Sequence, residues 1–267
     1  MKLQSTIALG IAAVVLSVGA SIAGPDLTDP KLKPYINGKY YSGYVINDPT
    51  TREMQDDDFQ NPAFLWVEQA EEEWNKVDGE AQKSCASCHN DPESLKGAST
   101  TYPKVDGDKL ITVEHRINQC RTQRMKAKAW KWESDAMLGT SALVRMQSRG
   151  MPVNVKVDGE AELHFEQGKE FYHQRRGQLD LACIHCHVQN NGNMVRSELL
   201  SHGMPNGFPT YRLKWQKLGS LHRRFRGCNK NIRAQPYKQG SPEYTSLELY
   251  VMRRAAGLPV ESPSVRK

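Results

Sequence analysis

An apolar stretch from Ile7 to Val18 dominates the start of the chain, preceded by Met1-Lys2-Leu3 and followed by Gly19-Ala20-Ser21-Ile22-Ala23-Gly24. A basic start, a short apolar stretch and small residues before a cut after Ala23 form the pattern of an export signal. About a dozen apolar residues fall short of the ~20 that span a bilayer, so a cleaved signal over 1–23 is expected rather than an anchor. Later segments turn amphipathic. Pro62 to Lys76 carries Phe64, Trp66, Val67 and Trp74, and Glu162 to Arg175 carries Leu163, Phe165, Phe171 and Tyr172 without a proline; both patterns predict helices. Leu247, Tyr250, Val251 and Arg254 stand at i, i+3, i+4 and i+7 and stop at Gly257 and Pro259, which predicts a last long helix. A shorter helix is expected over Ser141 to Arg149. Gly168, beside Phe171 and Tyr172, would let another helix approach closely. Glycine, proline and asparagine mark loops at Asn190 to Asn193 and Gly203 to Pro209.

Composition adds little to that outline. About 244 residues remain after position 23, enough for two small domains or one large one. The formal net charge of +6 falls by one when Lys2 is removed, no nucleic-acid module is recognisable, and no later segment is apolar enough to cross a membrane.

The cysteines change the picture. Four of the six lie in two copies of one motif, Cys85-Ala86-Ser87-Cys88-His89 and Cys183-Ile184-His185-Cys186-His187. C-x-x-C-H is the attachment signature of c-type haem: two thiols reach the vinyl groups of one porphyrin and the histidine beneath the iron is its proximal ligand. Two covalent haems are expected, held by Cys85, Cys88 and His89 and by Cys183, Cys186 and His187. A zinc site would require four cysteines and two histidines to converge, and a thioredoxin-like redox pair would require a βαβ pattern that the sequence lacks. Covalent haem attachment takes place outside the inner membrane, so motif and export signal agree on the periplasm.

Aligning the halves on their lone cysteines brings out a repeat. Arg116-Ile117-Asn118-Gln119-Cys120 matches Arg224-Phe225-Arg226-Gly227-Cys228, and Gly150-Met151-Pro152-Val153 matches Gly257-Leu258-Pro259-Val260. Each lone cysteine follows its haem motif, by 31 residues from His89 to Cys120 and by 41 from His187 to Cys228. A helix before the motif and another at the end, crossing each other, is the plan of small class I cytochromes c. The expected fold is therefore mainly α, with two tandem class I cytochrome c-like domains over 24–155 and 156–267 and long loops around covalent haems.

Each iron needs a second axial ligand. Methionine is usual, and Met125, Met137, Met146, Met151, Met194 and Met204 are available, but Met151 aligns with Leu258 and Met146 with Arg253. Cys120 and Cys228 are matched in the repeat, so each is a candidate axial thiolate, a strong donor that favours ferric iron. A Cys120–Cys228 disulfide is the alternative in an exported protein, and His115, His173, His202 and His222 are fallback ligands. Only Cys228 follows a basic run, His222-Arg223-Arg224-Phe225-Arg226-Gly227. Guanidinium groups suit oxyanions and stabilise a thiolate, so this run reads either as an anion-binding reactive site or as a solvated face pairing with haem propionates.

Arg223 to Asn229, together with Arg233-Ala234-Gln235-Pro236-Tyr237, Gly240-Ser241-Pro242-Glu243-Tyr244, Leu247-Glu248-Leu249-Tyr250 and Gly257-Leu258-Pro259, resembles the SoxA family, the larger cytochrome subunit of sulfur-oxidising SoxAX complexes. The resemblance covers essentially the whole mature chain and is to the dihaem type. It implies an L-cysteine S-thiosulfotransferase that joins thiosulfate oxidatively to a cysteine of a SoxYZ-like carrier, with a SoxX-like monohaem cytochrome c as heterodimer partner. It further implies Cys120 and Cys228 as distal iron ligands, Cys228 as an active-site cysteine carried as a persulfide, and Arg224 as the substrate-binding residue. A periplasmic dihaem electron-transfer cytochrome without its own substrate site is the alternative, and a dihaem peroxidase a further one.

Overall fold

Two pairs of crossing helices organise residues 25–267, the part of the chain described by the computed structural model. The expected export signal lies outside the described residues. A hairpin of β1 (Ile36–Asn37) and β2 (Tyr40–Tyr41) comes first, then α1 (Pro49–Asp56), capped by the Asp48 carboxylate on the Thr51 amide at 3.0 Å. The helix α2 (Phe64–Asn75) leads into the first C-x-x-C-H, which forms the single turn α3 (Ala86–His89). A hairpin of β3 (Lys104–Asp106) and β4 (Lys109–Ile111) follows, then α4 (Val113–Gln119), a wide turn over Cys120–Arg124, and α5 (Asp135–Met146). Next come α6 (Glu162–His173), a wide turn over His185–Gln189 that carries the second motif, and a hairpin of β5 (Met194–Val195) and β6 (Glu198–Leu199). The chain ends with β7 (Thr210–Arg212), β8 (Lys217–Gly219), α7 (Leu221–Asn231), α8 (Pro242–Arg254) and β9 (Ser264–Arg266).

Elements from α2 to α5 recur in the same order from α6 to α8, with matching local devices. Gly79 and Gly177 both have positive φ, +73° and +69°, and each presses on a later loop, at Met125–Ala127 and at Ile232–Ala234, where any Cβ would collide with backbone. Thr112 and Ser220 cap α4 and α7; Ser134 and Ser241 cap α5 and α8. Each such cap contributes about 1 kcal/mol by satisfying an amide the helix leaves free.

Within each series the leading helix packs on the closing helix, α2 on α5 and α6 on α8. Glycine permits both crossings, from opposite partners: a Cβ at Gly139 of α5 would strike the Trp66 carbonyl, and one at Gly168 of α6 would strike the Ser246 carbonyl. Between the series the packing is reciprocal. Leu218 of β8 sits among Leu138, Ala142 and Leu143 of α5, while Leu110 of β4 sits among Leu249 and Met252 of α8. The cores thus interleave across residue 155. A buried polar chain joins them further: Arg145 reaches Glu248 at 3.4 Å, and Glu248 reaches His222 Nε2 at 3.1 Å. Finally β9 pairs parallel with β7, Tyr211 opposite Val265, and packs on α1, tying the last residues to the first helix.

The mainly helical reading stands, with two differences of detail. The closing helix of the first series starts at Asp135 rather than Ser141, because Ser134 caps it and Gly139 serves the crossing instead of breaking the helix. The last helix ends at Arg254, three residues before Gly257 at φ +85°. The short hairpins were not expected, since strands of two or three residues leave no alternating pattern to read. Among the described residues no helix is long and apolar enough to cross a membrane.

Candidate functional site

In the second series, α7 sets the geometry. Ser220 fixes its start, and Leu221 and Phe225 turn inward to the cluster of Phe171, Tyr244 and Leu247. Helical spacing then puts Arg224, Gly227 and Cys228 at i, i+3 and i+4, on one face. Cys228 is half-buried and within hydrogen-bond reach of His187. His187 Nδ1 lies 2.8 Å from the Ser201 carbonyl, a contact that places the ring proton on Nδ1 and leaves Nε2 as the free lone pair. Gly203, at φ +69°, packs so close to the His187 ring that a Cβ would come within 2.9 Å of it, so the ring is held from behind. Cys183 and Cys186 lie within electrostatic reach of Cys228. Two thiols, an oriented imidazole and a facing thiol are the donor set that a covalent haem with His and Cys axial ligands requires.

The electrostatics of Cys228 follow from its neighbours. Burial pushes its thiol up, and Arg224, His187 and Arg212 together outweigh that, bringing it down to about 7. Burial instead drives Cys183 up to about 12. The basic run does not converge as a block. Arg223 stacks over Trp215 at 4.5 Å and lies 3.7 Å from Glu133, Arg226 donates to the Tyr237 carbonyl, and Arg233 reaches Gln178. Of the arginines Arg223, Arg224, Arg226 and Arg233, only Arg224 has no ion pair or hydrogen-bond partner among the described residues. Arg212 of β7 was not singled out in the sequence; its charge acts on both Arg224 and Cys228.

In the first series Cys85 and Cys88 flank the start and middle of α3, and Trp74 donates to the Asn90 carbonyl at 2.7 Å, anchoring the turn that ends on His89. Cys120 lies half-buried just after α4, within electrostatic reach of Cys85 and Cys88. Burial raises its thiol, and Arg116 and Arg124 do not offset that. Arg116 is paired, with Asp106 at 2.9 Å and with the Tyr102 hydroxyl at 3.3 Å.

Several alternatives lose their support. No disulfide links any of the six cysteines, so Cys120 and Cys228 are not joined to each other. Among the described residues no group of three or more His, Cys, Asp or Glu side chains closes around a point, as a structural zinc site requires. Three of the fallback histidines are engaged elsewhere, His115 on the Gly240 carbonyl, His173 on the Lys169 carbonyl and His222 on Glu248; His202 stands edge-on to Tyr41 at 4.3 Å with both ring nitrogens buried and unpaired among the described residues. Met137 and Met204 are core residues.

Residues 69–153 match the family model described as SoxA/TsdA, cytochrome c domain, and the chain is a c-type cytochrome that carries covalent haem. The L-cysteine S-thiosulfotransferase subunit SoxA of Paracoccus pantotrophus is 46% identical over 228 residues, 85% of this chain and 79% of its own length. The same subunit of Rhodovulum sulfidophilum is 44% identical, over 84% of this chain and 79% of its own, and that of Allochromatium vinosum 32%, over 86% and 83%. The crystal structure of SoxXA from P. pantotrophus superposes with a TM-score of 0.83 at 46% identity, over 85% of this chain and 87% of that one. The chain belongs to the SoxA family.

Proposed function

We propose that this protein is the thiosulfate-coupling subunit of a periplasmic L-cysteine S-thiosulfotransferase, working on a SoxYZ-like carrier protein. The observation that carries the reading is the unpartnered Arg224 on the same helical face as Cys228, opposite the oriented His187. The net reaction joins the sulfane sulfur of thiosulfate to the carrier cysteine sulfur; the carrier thiol loses its proton, one S–S bond forms, and two electrons leave. Arg224 binds the dianion by charge-assisted hydrogen bonds and orients it against the Cys228 sulfur. Cys228 is the active-site sulfur and is carried as a persulfide.

Two haems are proposed. Cys85 and Cys88 would attach the first, with His89 and Cys120 as axial ligands; Cys183 and Cys186 would attach the second, with His187 and Cys228. Bound haem supplies a one-electron acceptor for the electrons released. The relatives named above are SoxA subunits, and one was solved in a SoxXA complex; this supports a SoxX-like monohaem cytochrome c as the heterodimer partner that receives those electrons. The recurrence of α2 to α5 as α6 to α8 supports two tandem cytochrome c-like units, 24–155 and 156–267.

The test is the Cys228→Ala variant, purified with both haems attached and assayed for thiosulfate-dependent modification of the carrier cysteine. Loss of coupling is expected. Full coupling would reduce the protein to an electron-transfer cytochrome.

A further inference from the structure

Matched at their cis prolines and their lone cysteines, the two series differ in what surrounds the arginine. In the first series Arg116 has three neighbours that neutralise or cap it: Asp106 in an ion pair at 2.9 Å, the Tyr102 hydroxyl at 3.3 Å, and Gln119, whose amide holds the same Asp106 at 3.2 Å. Tyr102 immediately precedes a cis proline, and Phe208 does so in the second series, without a hydroxyl. Asp106 is the third residue of its hairpin strand; the third residue of β7 is Arg212. Gln119 stands one before its cysteine; Gly227 stands there in the second series, and nothing lies within 4 Å of where its Cβ would be. Every partner of the arginine has been removed, and the carboxylate has been replaced by a second guanidinium.

We propose that Arg212 is a positioning residue for the anionic substrate: its buried charge sets the positive potential that draws thiosulfate to the Cys228 sulfur. The inference rests on the function proposed above. Arg212 is only 7% exposed, so it acts through its charge while Arg224 makes the contact. Its own salt bridge does not cancel it. Glu198, at 3.0 Å from Arg212, is shared with Lys214 at 3.1 Å, so one carboxylate serves two cations. The Arg212 guanidinium is further fixed by the Lys267 carbonyl and by the Trp215 ring at 5.2 Å. A charge several ångströms from a dianion, in a partly desolvated site, alters binding by a factor of ten or more.

The experiment uses the haem-loaded heterodimer and measures thiosulfate KM and kcat in carrier coupling, with calorimetric titration of thiosulfate as a second readout. Arg212→Gln should raise KM and Kd about tenfold with kcat little changed, and Arg212→Lys should restore most of the affinity. Glu198→Gln discriminates charge from scaffolding, because it breaks the same salt bridge yet leaves Arg212 less compensated; it should lower KM. If Arg212→Gln and Glu198→Gln both weaken binding, or if Arg212→Gln shifts only the midpoint potential of the second haem and leaves KM unchanged, the inference is overturned. Cys228→Ala is run alongside: coupling that survives it refutes the proposed function itself, whereas its failure beside an unaffected Arg212→Gln refutes only the role of Arg212.

Discussion

Cys120 and Cys228 occupy equivalent places in two series built to the same plan, yet their surroundings differ in sign. Beside Cys120 the arginine is locked to Asp106 and Tyr102, and burial holds the thiol above its ordinary range. Beside Cys228 the arginine is free, a second arginine stands where the carboxylate would be, and the thiol is drawn down to about 7 despite burial. The scaffold fixes where a sulfur faces the haem motif; a few residues behind it decide whether that sulfur meets anions. One plan thus serves a closed site and an open one.

The largest expected effect separates the two cysteines directly. Alanine at Cys228 should reduce carrier coupling by about a thousandfold or more, the scale of losing a covalent sulfur, while Cys120→Ala should leave most of the activity with a changed spectrum of the first haem. Equal losses would collapse the comparison. Next comes Arg224→Gln, expected to cost about a hundredfold in kcat/KM, the scale of one strong charge-assisted contact in a desolvated site; the equivalent Arg116→Gln should be nearly silent in the same steady-state assay.

Gly227→Gln rebuilds over the second site the amide that covers the first. The space there is open and the position is helical, so the variant should be more stable, by about 0.5–1 kcal/mol in denaturant unfolding, while coupling slows about tenfold as access to Cys228 narrows. A variant that gains stability and keeps full activity would show that Gly227 plays no part in access.

The smallest effect concerns Asp106. Arg116 and Gln119 hold its carboxyl below the ordinary aspartate range. A depressed folded-state pKa gives stability that is present above the unfolded value and lost as pH falls through the folded one. Asp106→Asn should therefore lower Tm slightly at pH 7, and the difference from the unaltered protein should vanish as the pH drops below the ordinary aspartate range. The same variant frees Arg116, so thiosulfate binding at the first site should become measurable by calorimetry.

Much of the site was legible in the sequence because its chemistry is local. C-x-x-C-H needs its residues in one turn, and the match of Cys120 with Cys228 shows because each lies at nearly the same distance, 30 and 29 residues, from a Gly-x-Pro corner. Arg224 was singled out by the family resemblance, and its place one helical turn before Cys228 agrees with that assignment. Arg212 was not legible. It reaches the site from a three-residue strand, its equivalent is an aspartate, and the spacing from strand to cysteine differs between the series, so no alignment on cysteines pairs them. The neighbouring arginines misled for a physical reason: a helix sends consecutive side chains in different directions, and Arg223 and Arg226 point to Trp215 and Tyr237 instead. In the fold, the long helices showed in their apolar spacing. The reciprocal packing of each hairpin on the other series' closing helix did not, since it depends on single residues, Leu110 and Leu218, in short strands.

The central claim is that the chemistry belongs to the second series. Peptide mass spectrometry of the haem-loaded protein after exposure to thiosulfate tests it most directly, by locating sulfur added to cysteine. An increment of about 32 Da on the Cys228 peptide, with none on the Cys120 peptide, is the predicted result; an increment on Cys120, or equal increments on both, would contradict the account.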